Sequence, residues 1–187
     1  MNKSINVRNV TMVGLGVALN VVGAFIALNL RLPIYMDSIG TIFIACLLGP
    51  RYAVLTGLCG SIVSGITFDI YSLYFAPVQI STGLLAGIMY KKGFLKGIKT
   101  PIGVLIFTIP TSIISACIAA FLFGGVTSSG SSYIVQILKT LGMPDVLSVF
   151  VIQVFTDYAD KFIGVVLVGL GVNALPKSVK SQMVVNK

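Results

Sequence analysis

Long apolar runs separated by short turn signals dominate the chain. Residues 10–30 form a first run of about 21 residues, enough to cross a hydrocarbon core of ~30 Å. Pro33 opens a second segment, residues 34–48, which would make only ~22 Å of helix and stops at Gly49-Pro50-Arg51. A third, residues 52–67, is also short. The aromatic stretch from Phe68 through Asp69, Tyr71 and Tyr74 to Phe75 then leads to a fourth helix over residues 77–90, opened by Pro77. A basic connection with Lys91, Lys92, Lys96 and Lys99 precedes a fifth run, residues 101–123, of full length and with a kink expected at Pro110. A Gly/Ser loop from Gly124 to Ser132 and an amphipathic piece over residues 133–141 follow. Asp145 is then a fitting cap for the sixth and longest helix, residues 145–175, which Pro176 ends.

The pattern predicts an all-α protein of six transmembrane helices in one domain, residues 1–187, and composition agrees. The chain is 56% hydrophobic and 10% charged and holds no His, Trp or Glu. Its mean hydropathy is +1.02. That leaves too little polar surface for a water-soluble domain of this length. Twenty glycines suit closely packed membrane helices. A cleavable leader is the alternative for the first run, but it is longer than a signal core and has no small-residue cleavage site before Arg31.

Charge distribution gives an orientation. With the N-terminus inside, ten basic residues (Lys3, Arg8, Arg51, Lys91, Lys92, Lys96, Lys99, Lys177, Lys180 and Lys187) lie on one side, against Arg31 and Lys139 on the other. That asymmetry is the positive-inside signature, so both termini are expected in the cytoplasm of a multi-pass cell-membrane protein. The net charge of +8 is accounted for by topology, and nucleic acid is not an expected partner.

The last run carries the chemistry. At 100° per residue, Gln153, Asp157, Asp160, Lys161 and Gly164 share one face about 100° wide on an otherwise apolar helix. Ionisable residues inside a span usually mark a site or pathway, because each costs a few kcal/mol unless it faces a partner or water. The competing reading is an Asp157/Lys161 pair at i, i+4 that only neutralises itself and leaves Asp160 over. Counting helix rise from Lys177 puts this stripe toward the outside, where the connections over residues 31–37 and 68–76 also lie. Those apolar and aromatic connections are expected to dip into the bundle and roof a pocket. Tyr35, Tyr71, Tyr74, Phe68 and Phe75 would supply flat faces, and Asp37, Asp69, Gln79, Gln153 and Asp157 polar anchors, for a small ring compound. For the aromatics, an interfacial belt is the alternative.

Three stretches carry a resemblance. Gly14-Leu15-Gly16-Val17-Ala18-Leu19-Asn20 on the first helix, Asp37-x-x-Gly40-Thr41, and Ala45-x-x-Leu48-Gly49-Pro50-Arg51-Tyr52 resemble the substrate-binding S components of energy-coupling factor (ECF) transporters over essentially the whole chain. The resemblance implies a subunit that captures a vitamin or similar micronutrient and is not itself an enzyme. It implies docking on a transmembrane T component coupled to two cytoplasmic ATPases, so that ATP is used by the partners and no cofactor is held here. The family's small-residue docking motif maps onto Gly14 and Ala18, with Gly14 in place of the family's first alanine. Small residues one turn apart let two helix backbones touch in lipid, and packing against the protein's own helices is the alternative.

Other chemistry finds little footing. No Gly-rich phosphate loop with a Lys-Ser/Thr ending is present, and without His there is no catalytic triad. Cys46, Cys59 and Cys117 lie in three separate runs without metal-ligand spacing, and read as small buried hydrophobes. Asp157-x-x-Asp160 lacks the further carboxylates and arginines of a metal-dependent lipid transferase. A free-standing secondary transporter, coupling protons through Asp157 or Asp160, is the main rival.

Overall fold

The structure, a computed structural model, describes residues 7–174. Among these the chain is helical without strands: α1 Val7–Asn29, α2 Ile39–Leu47, α3 Pro50–Thr67, α4 Ile70–Tyr74, α5 Ala76–Lys91, α6 Thr100–Phe123, α7 Ser131–Thr140 and α8 Asp145–Ala174, with a 3-10 turn at Gly97–Lys99 before α6. Two stretches, Val7–Asn29 and Gly97–Phe123, are long and apolar enough to cross a membrane. The basic tail, Lys3 and Pro176 lie outside the described residues.

Proline and glycine set most boundaries as the sequence suggests. Pro77 opens its helix as expected, and Pro50, expected in the turn before residue 52, also occupies the first turn of a helix, where the missing N–H costs nothing. Gly124 ends α6 in the left-handed conformation at φ 58°, and α6 runs on through Pro110. Four details differ from expectation. The second segment is helical only from Ile39, because Met36 adopts φ 53° and Arg31 φ 50°, conformations a right-handed helix does not admit. The aromatic stretch contains the short helix α4, capped by the Asp69 carboxylate, which accepts from the Tyr71 N–H at 3.3 Å. Asp145 is the first residue of α8 and not its cap; it pairs with Lys139 at 3.3 Å. The three cysteines are free, but Cys117 is exposed and Cys46 and Cys59 are half-buried, so none is the fully buried hydrophobe expected.

The short helix α2 is the centre of the bundle, packed against α1, α3, α5 and α8, while α3 pairs with α5 and α6 with α8. Its Ile42 and Ile44 are completely buried and join Val104, Phe107, Val165 and Val168 in the main core. The α1–α2 crossing is so close that a Cβ on Gly40 would collide with the Gly16 carbonyl oxygen. Glycine is needed there for the approach of backbone to backbone.

Connections segregate by end. At one end Asn9 donates to the Tyr52 hydroxyl at 3.0 Å, and Lys91 lies against Gly49. At the other, Gly130 N–H donates to Leu32 O at 3.0 Å, Arg31 donates to the Tyr133 hydroxyl at 2.8 Å, and Ser128 donates to Asp69 at 2.9 Å. The connections over residues 30–38, 68–75 and 124–130 therefore meet over one end of the helices, directly above the polar stripe of α8.

Candidate binding site

The polar stripe of α8 turns inward. Gln153, Asp157, Asp160 and Lys161 are each 5% exposed or less, a placement that charged side chains tolerate only when partners replace water. The partners are specific. Asp157 Oδ2 accepts from the Ser112 hydroxyl at 2.9 Å and lies 3.8 Å from Lys161 Nζ, while its Oδ1 accepts from Gln153 Nε2 at 3.2 Å. Gln153 also donates to Ser115 Oγ at 2.6 Å, tying α8 to α6. The self-neutralising pair read as an alternative is thus formed, though it is one contact among several on Asp157.

Asp160 has a different role from its neighbour. Its Oδ1 accepts the Met36 N–H at 2.7 Å and its Oδ2 accepts the Ser38 hydroxyl at 3.1 Å. Both oxygens are spent on the connection before α2. Left-handed backbone at a non-glycine residue costs on the order of 1 kcal/mol or more. The carboxylate holds Met36 in it by taking its N–H.

Between these groups lies a cavity lined by Tyr35, Asp37, Phe75, Gln79, Asp157, Asp160 and Lys161, with Ser72, Val78 and Ser115 completing the wall. Its volume is about 20 Å³, room for one water. A second void of the same size adjoins it, sharing Tyr35, Asp37 and Ser72 and reaching Asp69 and Ser128. Asp37, in the connection before α2, projects into both voids. Burial pushes its carboxyl up to about 7; the Asp160 charge adds to the rise, while Lys161 and a hydrogen bond from Gln79 oppose it. Burial likewise raises Tyr35, which remains a neutral hydroxyl 2.8 Å from Thr127 Oγ1.

The candidate residues fall into four groups. Tyr35, Asp37, Gln79, Asp157, Asp160 and Lys161 come together on the cavity wall. Gln153 stands behind it as support for Asp157, and Asp69 holds the roof through Ser72 and Ser128. Tyr71 and Tyr74 stack edge-on against Phe123 at 4.8 and 5.3 Å, with Tyr74 half-exposed; they buttress the roof from outside. Phe75 supplies the flat face nearer the cavity, tilted against Tyr35 at 5.9 Å. Gly14 and Ala18 lie on the outward face of α1, and a Cβ on Gly14 would meet nothing within 4 Å. The small residues that pack α1 internally are Gly16, Gly23, Ala24 and Ala27 instead.

Several contributors were not singled out from the sequence. Ser112 and Ser115 carry little signal in an apolar run, because a serine there bonds its own helix backbone as readily as a neighbour. The Gly/Ser loop joins the roof through Thr127 and Ser128, which loop composition alone does not foretell. Asn20 is the exception. A carboxamide midway along a 23-residue apolar helix is a visible anomaly. Among the described residues no group of His, Cys, Asp or Glu is arranged to hold a metal ion. Comparison with protein-family models, with curated proteins and with solved structures returns no match to this chain.

Proposed function

We propose that this chain is the membrane-embedded substrate-binding subunit of an ECF-type importer. It spans the cell membrane six times with both termini in the cytoplasm, captures a vitamin-like small molecule from outside, and delivers it through a transmembrane T component powered by two partner ATPases. The observation that carries the reading is the cavity beneath the three joined connections, where an aromatic face (Tyr35, Phe75) meets Asp37, Gln79 and Lys161. Apolar walls with a few convergent polar groups are the usual make-up of a small-molecule site. The segregation of Arg8, Arg51, Lys91, Lys92, Lys96 and Lys99 to the end opposite this roof supports the orientation. The outward-facing Gly14 and Ala18 support a helix-packing surface on α1.

Volume adds a requirement. Sites for drug-sized molecules run to roughly 300–1,000 Å³, far above the present cavity. Binding therefore requires the roof to part, which breaks polar ties such as Tyr35 to Thr127 and Asp69 to Ser128.

Two measurements test the proposal. Mass spectrometry of the purified protein should identify a small ring compound that co-purifies, and uptake of that compound into cells should require co-expressed T component and ATPases. Uptake by the protein alone in liposomes under a proton gradient would overturn it in favour of a secondary transporter.

A further inference from the structure

We infer that Asn20, on α1, is a positioning residue for Gln79: through Thr41 it fixes which end of the Gln79 amide faces the cavity. The geometry runs in one direction. Asn20 is 1% exposed, and one end of its carboxamide lies 2.7 Å from the Gly40 N–H and 3.1 Å from the Thr41 N–H. Backbone N–H groups only donate, so that end is the oxygen. The other end is then the NH2, which donates to Thr41 Oγ1 at 2.8 Å. Having accepted there, the Thr41 hydroxyl has one proton to give, and the Gln79 side-chain oxygen lies 3.3 Å away to take it. The Gln79 carbonyl is thereby occupied, and its NH2 is left for the cavity whose wall it shares with Asp37.

The opposite sense is penalised at Thr41. A reversed Gln79 would offer its NH2 to a hydroxyl already receiving one from Asn20, leaving the Thr41 proton without the Gln79 oxygen. Thr41 is 0% exposed and lines neither void, so water does not repair the mismatch at its hydroxyl. Nor can the source of the signal drift, because Gly40 is pressed against the Gly16 backbone and holds the first turn of α2 in place over Asn20.

Resting on the proposed function, the consequence is a statement about ligand chemistry. The cavity offers a fixed donor at Gln79 next to the Asp37 carboxyl, whose carbonyl oxygen accepts even when the group is protonated. Its complement is a ring compound with an acceptor and a donor side by side, such as a lactam or amidine edge. Neither Asn20 nor Thr41 lines the cavity, so both would shape selectivity without touching the ligand.

The test uses full-length protein in detergent micelles with 15N-labelled glutamine, recorded without added ligand, so it stands apart from whether any compound co-purifies. The Gln79 side-chain NH2 signal is identified by its loss in Gln79→Met. In Asn20→Ala and in Thr41→Val this signal should shift, while that of Gln153 stays in place; Thr41→Ser, which keeps the hydroxyl, should leave the Gln79 signal at the wild-type position. A Gln79 signal unmoved in cooperatively melting Asn20→Ala protein overturns the inference. If Asn20→Ala does not fold, the near-isosteric Thr41→Val decides: an unmoved Gln79 signal there overturns it, and a shift that Thr41→Ser does not produce upholds it.

Discussion

Asp160 accepts the backbone N–H of Met36 at 2.7 Å, joining the last long helix to a connection 124 positions earlier. With Ser38 on its second oxygen, this carboxylate is a fastener for the connection that carries Tyr35 and Asp37 into the cavity. Asp160→Asn keeps one acceptor but turns an NH2 toward a donor. The expected loss is ~1.5–3 kcal/mol, the worth of a hydrogen bond to a charged group. It should appear as a lowered melting temperature together with weaker binding of the co-purifying compound. Unchanged stability would show that Met36 and Ser38 find other partners.

Asp157 and Lys161 make a different prediction, because they are buried together. Removing one partner of such a pair leaves an uncompensated charge and costs about 3–5 kcal/mol, whereas removing both can be nearly neutral. Asp157→Asn should therefore melt well below wild type, and Asp157→Asn with Lys161→Met should recover most of the difference. A double variant no more stable than the single one would assign the main role of Asp157 to Ser112 and Gln153.

Asp37 gives a pH dependence whose sign is fixed. Its carboxyl is raised to about 7 in the folded protein, against about 4 for a free side chain. Between those values the folded state keeps a proton that the unfolded chain releases, so this residue lowers stability as pH rises from about 4 to 7 and no further above that. Asp37→Asn removes the effect. Its melting temperature relative to wild type should rise across that window and level off above it, a comparison readily made by thermal melts in one detergent at several pH values. A flat difference would mean that Asp37 is not held in its neutral form.

The outward face of α1 can be tested without disturbing the cavity. Gly14→Leu with Ala18→Leu adds bulk where Gly14 has open space around it, so the melting temperature and ligand affinity should stay near wild type. Uptake in the presence of T component and ATPases should fall sharply, because two helix backbones could no longer touch. Retained uptake would move the docking face elsewhere on the protein.

The helices were legible because their signals are local. Apolar run length, Pro77 at a helix start and glycine at the end of α6 act within a turn or two. The same holds for the stripe of Gln153, Asp157, Asp160 and Lys161, which helix geometry alone puts on one face. What that face meets is not local. Helix spacing pairs Asp157 with Lys161 and leaves Asp160 over, but only the packing of α8 against α6 and α2 adds Ser112 to the one carboxylate and gives the other to Met36 and Ser38.

The start of α2 was misjudged for the same reason. Residues 34–38 are apolar enough to be helical, but the connection crosses so close to α1 that a Cβ on Gly23 would strike the Met36 carbonyl oxygen, and Asp160 has taken the Met36 N–H. Asn20 announces itself as a polar group in an apolar helix. That its oxygen would meet two N–H groups of α2, and so govern Gln79 on α5, depends on three helices meeting within hydrogen-bond distance, a relation that no periodicity along one chain encodes.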